Sequence, residues 1–252
     1  MRTKPNSISR LLAFWFLVLF VLSFLLQFPL YFVLLLHPRF YPLAHQLRKG
    51  WARFLFACIG VKVVVDNQAE LSPDQAYVCC ANHDSYIDIP LLAVAFPNFF
   101  GYMAKDELTK IPLFRRFFNT IDVAVDRINR RQAHLAYLRA SNKLKAGQSI
   151  AIFPEGGIIR GPAVLKPFKS GAFKLAVEHN IPIVPVSLID SRLILPDADR
   201  IGLFPGRCRV VVHAPIWPVQ GIENAEKLLR QATFEVIEKT LANYHGVRSE
   251  HR

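Results

Sequence analysis

The feature that most constrains this chain is an apolar run of 26 residues, from Leu11 to Leu36. Only Ser23 and Gln27 interrupt it with polar groups, and Pro29 is its one helix breaker. A helix of about 20 apolar residues can cross a hydrocarbon core, so the run is long enough to do so. A cleavable leader has an apolar region of about 7–15 residues followed by a small-residue cleavage pattern. This run is longer, and no Ala-x-Ala follows it. A helix buried in a protein core fits poorly with apolar residues all round it over such a length.

Charge supports a membrane reading. The 252 residues carry 31 Lys+Arg against 19 Asp+Glu, a formal net charge of +12. No acidic residue precedes Asp66, while Arg2, Lys4, Arg10, Arg39, Arg48, Lys49, Arg53 and Lys62 all lie before it. Two thirds of the excess charge therefore flanks the apolar run. That is where anionic lipid headgroups would meet it, and it is not the placement of a DNA-reading helix. A hydrophobic content of 52% excludes a disordered chain. The cysteines Cys58, Cys79, Cys80 and Cys208 form no C-x-x-C pair. A disulfide scaffold and a zinc module are thereby set aside, and Cys79–Cys80 read as buried thiols.

A second segment follows. Phe40, Leu43, Ala44, Leu47, Trp51, Phe54, Leu55 and Cys58 recur at helical spacing, within a stripe about 120° wide. His45, Lys49 and Arg53 fall opposite it, Arg48 lies at its edge, and Phe56 violates it. The stripe fits either a membrane-surface helix or one packed on a globular domain. Basic residues on both sides of the apolar run give no positive-inside asymmetry. Two topologies stay open: a single span, or a helix pair that dips into the cytoplasmic leaflet and returns, bent at Pro29 or at His37–Pro38. The expected organisation is a membrane-anchoring helix pair in 1–60 and a globular domain in 61–252.

The globular part alternates short apolar runs with helical patterns. Strands are expected at Val61–Val65, Tyr77–Ala81, Phe99–Ala104, Ile121–Val125, Ser149–Phe153, Ile183–Leu188 and Arg209–His213. Helices are expected over 85–96, 111–118, 130–146, 168–179 and 222–243. This order predicts an α/β fold: a mixed, largely parallel sheet of about seven strands with helices on both faces. Pro182 and Pro185 predict that the Ile183–Leu188 strand lies at an edge or carries a bulge.

Chemistry in such sheets sits at the carboxyl ends of strands. The G-x-S-x-G, Walker, G-x-G-x-x-G and H-E-x-x-H patterns are absent, which disfavours serine hydrolases, P-loop NTPases, Rossmann oxidoreductases and zincins. No metal-ligand cluster appears, so no metal is expected. Asn82-His83-Asp84-Ser85-Tyr86-Ile87-Asp88 follows one strand and opens a helix, with Asp84 or Ser85 as a plausible N-cap. If the chain turns at His83, Asp88 can accept from one ring nitrogen while the other takes a proton from a hydroxyl. The competing reading is a capped helix start with a loop histidine. Phe153-Pro154-Glu155-Gly156-Gly157 ends another strand; it either aims Glu155 above the sheet or is a plain turn. Lys105, Arg127, Arg160, Lys166 and Lys169 lie in neighbouring loops, where they could converge on a phosphate or form a solvated face.

The Asn82–Asp88 block, the Phe-Pro-Glu-Gly turn about seventy residues later and Val184-Pro185-Val186 occur in this order behind an apolar anchor. In this the sequence resembles the glycerolipid acyltransferases, specifically the bacterial 1-acylglycerol-3-phosphate type, over roughly residues 60–215. The resemblance implies that His83 is a general base deprotonating a lysophospholipid hydroxyl and Asp88 its orienting partner. It implies direct attack on an acyl thioester, with acyl-CoA or acyl-carrier protein as co-substrate and no cofactor. Asn82, Lys105, Arg127, Glu155, Gly156 and Arg160 are the implied substrate-binding set, and Pro185 matches a fourth block. The implied product is phosphatidate, made from lysophosphatidate at the cell membrane by a domain facing the cytoplasm. The usual continuation Thr-Arg-Ser after Phe-Pro-Glu-Gly is Gly157-Ile158-Ile159 here, with Arg160 beyond. Either Arg160 serves in place of the missing arginine, or the acceptor is another lysolipid, such as a lyso-aminolipid. A non-catalytic lipid-phosphate-binding protein is the competing class, which would have no need of the His83/Asp88 pair.

Overall fold

A computed structural model describes residues 5–126, 128–159, 165–196 and 202–245. Seven strands form one sheet: β1 (Val61–Asn67), β2 (Val78–Ala81), β3 (Phe100–Lys105), β4 (Val123–Val125), β5 (Ser149–Ile152), β6 (Ile183–Leu188) and β7 (Gly206–Val212). Their order is β1-β7-β6-β2-β5-β3-β4. Every neighbouring pair is parallel except β6–β7, which is antiparallel. The mixed, largely parallel sheet expected from the alternation of patterns is thus present.

Both faces of the sheet are covered, which is why β2 is buried at all four residues. Successive side chains alternate. Cys79 and Ala81 therefore enter the core under α3 (Asp88–Ala95), while Val78 and Cys80 enter the core under α5 (Arg130–Lys145), α6 (Gly171–His179) and α8 (Ala225–His245). The short helices α4 (Pro112–Phe118) and α7 (Ser191–Ile194) complete the described set.

β6 corrects one expectation. Its prolines suggested an edge or a bulge, yet it lies between β7 and β2 in the sheet interior. Ile183 pairs with Ile216 and Val186 with Val212, so three steps on β6 face four on the neighbouring segment. The irregularity sits in the neighbour. Ile183 N–H points to Ile216 on that side, and the Pro185 carbonyl accepts from His213 N at 3.0 Å on the same side. The N–H that Pro185 lacks would therefore face the register shift, where no regular ladder bond is lost.

The apolar run becomes helix α1 (Ser7–Leu34), and it continues through Pro29. A proline removes one intrahelical bond; here Phe24, Tyr31 and Leu34, to either side of it, are held in a core with Phe117 and Ile121. The bend falls instead at His37–Pro38, where His37 caps a short 3₁₀ turn. One side of α1 faces the domain along its length: Ser9, Ala13, Phe24, Tyr31 and Leu34 are buried. The other side exposes Leu11, Phe14, Leu17, Leu22, Leu26, Leu30 and Val33.

Helix α2 (Tyr41–Cys58) lies between α1 and the sheet, and its buried face differs from the apolar stripe. Ala44 and Leu55 of the stripe are buried, but so are His45, Lys49, Ala52 and Phe56 outside it, whereas the stripe residues Leu43 and Phe54 are exposed. Polar groups can face inward here because each finds a partner or a neutral state. Lys49 Nζ donates to the Phe96 carbonyl at 2.9 Å. Arg48 reaches both oxygens of Asp122 at 3.0–3.1 Å. Burial pushes the His45 pKa down to about 2, so the ring stays neutral against Phe99 and Phe100. The stripe residue Trp51 packs on Phe20 and Phe24 of α1.

Candidate active site

The sheet itself selects a position for the site. Adjacent strands β2 and β5 send their chains in opposite directions: β2 leads through α3 to β3, and β5 leads through α6 to β6 on the other side. A crevice opens at the carboxyl ends of strands where connections diverge in this way. The two segments found there are Asn82–Asp88 and Phe153–Gly157.

The first segment turns before it becomes helical. Helix α3 begins at Asp88, three residues later than expected, and neither Asp84 nor Ser85 is its N-cap. The carboxylate of Asp88 gathers the turn instead. Its Oδ2 accepts from Asp84 N at 2.7 Å, Ser85 N at 2.7 Å and His83 Nδ1 at 2.9 Å. Asp88 is fully buried, and its Oδ1 has no hydrogen-bond partner among the described residues. Two backbone donors fix the carboxylate, and the carboxylate fixes the ring. Nδ1 is thereby held, which leaves Nε2 for a substrate.

The second segment supports His83 from the β5 side. Glu155 Oε1 accepts from His83 N at 2.8 Å, and Oε2 accepts from Lys166 N at 3.0 Å. Ile159 N donates to the His83 carbonyl at 3.0 Å. The Phe153 ring stacks on the His83 ring, with centroids 4.1 Å apart and planes 18° apart. This contact escaped sequence reasoning, because nothing local marks Phe153 as the neighbour of a histidine seventy residues away.

Burial shapes the titration of the surrounding acids. Glu155 is pushed up to about 9 by burial and by Asp84, against the pull of its two backbone donors. Asp84 is raised to about 7 by burial and by Asp88, with Arg192 opposing.

The expected substrate-binding residues separate into distinct groups. Asn82 is completely buried; its amide donates to the Leu188 carbonyl at 2.9 Å and accepts from Leu188 N at 2.7 Å. It ties the end of β2 to β6. Glu155 likewise turns inward beneath His83 instead of projecting above the sheet. Lys105 stands exposed at the end of β3, with its ammonium paired to Glu107, and this pairing holds Glu107 down at about 2. Gly156 adopts φ +82°, a left-handed conformation that glycine adopts freely. Arg127 and Arg160 lie outside the described residues.

A model of the family described as acyltransferase matches residues 62–189, which include both segments. A probable 1-acyl-sn-glycerol-3-phosphate acyltransferase of Mycoplasma pneumoniae is 30% identical, over 82% of this chain and 82% of that one. A lyso-ornithine lipid O-acyltransferase of Pseudomonas aeruginosa is also 30% identical, over 76% of this chain and 77% of that one. The chain spans 42% to 67% of the length of three further relatives, from an alga and two plants. Among solved structures, a 1-acyl-sn-glycerophosphate (LPA) acyltransferase of Thermotoga maritima superposes with a TM-score of 0.75 at 25% identity. That superposition covers 97% of this chain and 98% of that chain.

Proposed function

The chain belongs to the acyltransferase family, and from that premise we propose that it acylates the free hydroxyl of lysophosphatidate to give phosphatidate at a membrane surface. The donor is an acyl thioester, acyl-CoA or acyl-carrier protein. The observation that carries this reading is the convergence of three N–H donors, His83 Nδ1 among them, on one oxygen of Asp88.

The reaction follows from that geometry. Asp88 holds the ring with its proton on Nδ1, and Nε2 accepts the proton of the acceptor hydroxyl. The hydroxyl oxygen bonds to the thioester carbonyl carbon, and the carbon–sulfur bond then breaks. The imidazolium returns its proton to the departing thiolate, while Asp88 stabilises the transient positive charge. Proton transfer of this kind is worth about 10²–10⁴ in rate. His83→Ala is therefore expected to lower acyl transfer by about a thousandfold in detergent extracts. Wild-type rates in that variant would sink the mechanism.

A second acceptor is favoured by one specific observation. Ile158 stands where the resembled pattern has an arginine, and the Pseudomonas relative is named for lyso-ornithine lipid. Product analysis with purified protein, both donors and several lysolipids decides. Phosphatidate failing to appear while another lysolipid is acylated overturns the first reading. The exposed apolar side of α1 supports the membrane location; a domain on the cytoplasmic side is part of the proposal.

A further inference from the structure

Helix α5 carries Arg130, Arg131, Arg139, Lys143 and Lys145, and no Asp or Glu. At about 100° per residue, its buried Ala136, Ala140 and Leu144 mark one face. Arg131, Leu135, Leu138, Arg139 and Lys145 fall on the other side, and all five are exposed. The two leucines, one turn apart, form the centre of this outer face, with cations around them. Lys143 turns aside to the Thr120 carbonyl. The other four cations make no ion pair among the described residues. Glu178 of α6 is engaged by Tyr137 and lies 3.6 Å from His179, not on these cations. Arg130 and Arg131 stand in the first turn of the helix, where its dipole disfavours positive charge. Stability of the fold gives no reason for cations at that end.

The start of α5 is tied to the end of the sheet that holds the site. Asp126, directly after β4, accepts from Ile128 N at 2.8 Å and Asn129 N at 3.0 Å, and Asn129 caps the helix. From β4, strands β3 and β5 lead across to β2 and His83, a breadth of about 15 Å at the usual strand spacing. Ile128, 94% exposed, stands at this near end. The helix packs on the same face of the sheet as α6 and α8, whereas α1 and α2 lie on the α3 face. A bilayer that meets the uncovered side of α1 therefore has the sheet between itself and α5. The complement of this basic, partly apolar face belongs to a partner in solution.

We propose that the outer face of α5 docks a protein donor, acyl-carrier protein. An acidic helix of the carrier lies along it, with carboxylates against Arg131, Arg139 and Lys145 and apolar side chains against Leu135 and Leu138. This rests on the proposed transfer from an acyl thioester. A carrier seated there directs its prosthetic arm toward the near end of α5, and the thioester then has the breadth of three strand spacings to cross. Charges arranged in this way steer the encounter and fix its orientation. Acyl-CoA has no protein surface to cover the leucines, so the face discriminates between the two donors.

The test compares one acyl group carried on acyl-carrier protein and on CoA, using the full chain in detergent and the double variant Arg131→Glu/Arg139→Glu. Both changes suit the helix: a carboxylate in the first turn meets its dipole, and one four residues before Lys143 makes a favourable pair. The variant is expected to raise KM for acyl-carrier protein by about tenfold or more at low salt. With acyl-CoA its KM and kcat change by less than about twofold, since no contact of that donor is lost. At about 1 M salt, where screening acts within about 3 Å, the wild type weakens toward the variant with acyl-carrier protein alone. An equal rise with both donors, or no rise with acyl-carrier protein, overturns the docking alone. So does a wild type that uses acyl-CoA and refuses acyl-carrier protein. Weaker flotation of the variant with phosphatidylglycerol vesicles, at an unchanged KM for acyl-carrier protein, gives the face to lipid and overturns the docking as well. A wild type that transfers from neither donor overturns the proposed function, and this docking with it.

Discussion

Glu155 is the residue whose behaviour departs furthest from a surface carboxylate. Its pKa rises from 4.5 to about 9, and that of Asp84 from 3.8 to about 7. The folded chain thus keeps protons that the unfolded chain has released. The stability these groups contribute is fully present below about pH 4 and is lost as pH rises through about 7 for Asp84 and about 9 for Glu155. Urea unfolding of wild type and Glu155→Gln between about pH 5 and 9 tests this. The wild type is expected to lose stability with rising pH more steeply than the variant, and parallel profiles would refute the assignment. At this scale the sequence was informative about His83 and Asp88, because a five-residue spacing at a strand end can close on itself. It was silent about the stacking of Phe153 and about the bonds of Asn82 to Leu188. Their roles depend on which strands become neighbours, and β2–β5 and β2–β6 adjacency is not written locally.

Among the elements, α2 was the hardest to read. Its hydrophobic stripe is only partly buried, at Ala44 and Leu55, while Arg48 and Lys49 turn inward to Asp122 and to the Phe96 carbonyl. Patterning assumes that charge seeks water, and it fails where a carboxylate or an orphan carbonyl waits inside. The strands, by contrast, matched within a few residues, since runs such as Ile183–Leu188 are apolar but for Ser187. Asp122 holds Arg48 and also accepts from Tyr102 N at 2.8 Å. Asp122→Ala strands both donors in a largely buried place and is expected to cost about 3–5 kcal/mol. Thermal or urea denaturation measures it; a loss below about 1 kcal/mol, the value of a surface pair, would show that α2 is held by packing alone.

For the whole molecule, α1 and α2 enter buried clusters of the domain: Ala13 and Phe56 beside β1 and β7, and Phe24, Tyr31 and Ala44 beside Phe117 of α4. A helix docked lengthwise in this way leaves one apolar side uncovered, and under the proposed membrane location that side is expected to meet the bilayer without the helix crossing it. Single cysteines replacing the exposed Ser7 and Gln46 on a Cys58→Ser background report the outcome. Both are expected to react with an impermeant reagent from the same side of sealed vesicles. Reaction from opposite sides would establish a crossing helix.

If the protein works at a membrane as proposed, the apolar side of α1, with Leu26 83% exposed and Leu11 67%, also sets the dimension in which it works. Under the proposed function, a domain that rides on such a helix would meet an insoluble acceptor by sliding, not by diffusing through solution. The concentration that governs its rate is then the acceptor's mole fraction in the surface. Adding inert detergent at a fixed total amount of acceptor should slow turnover in proportion to the dilution of that surface, even though the bulk concentration never changes.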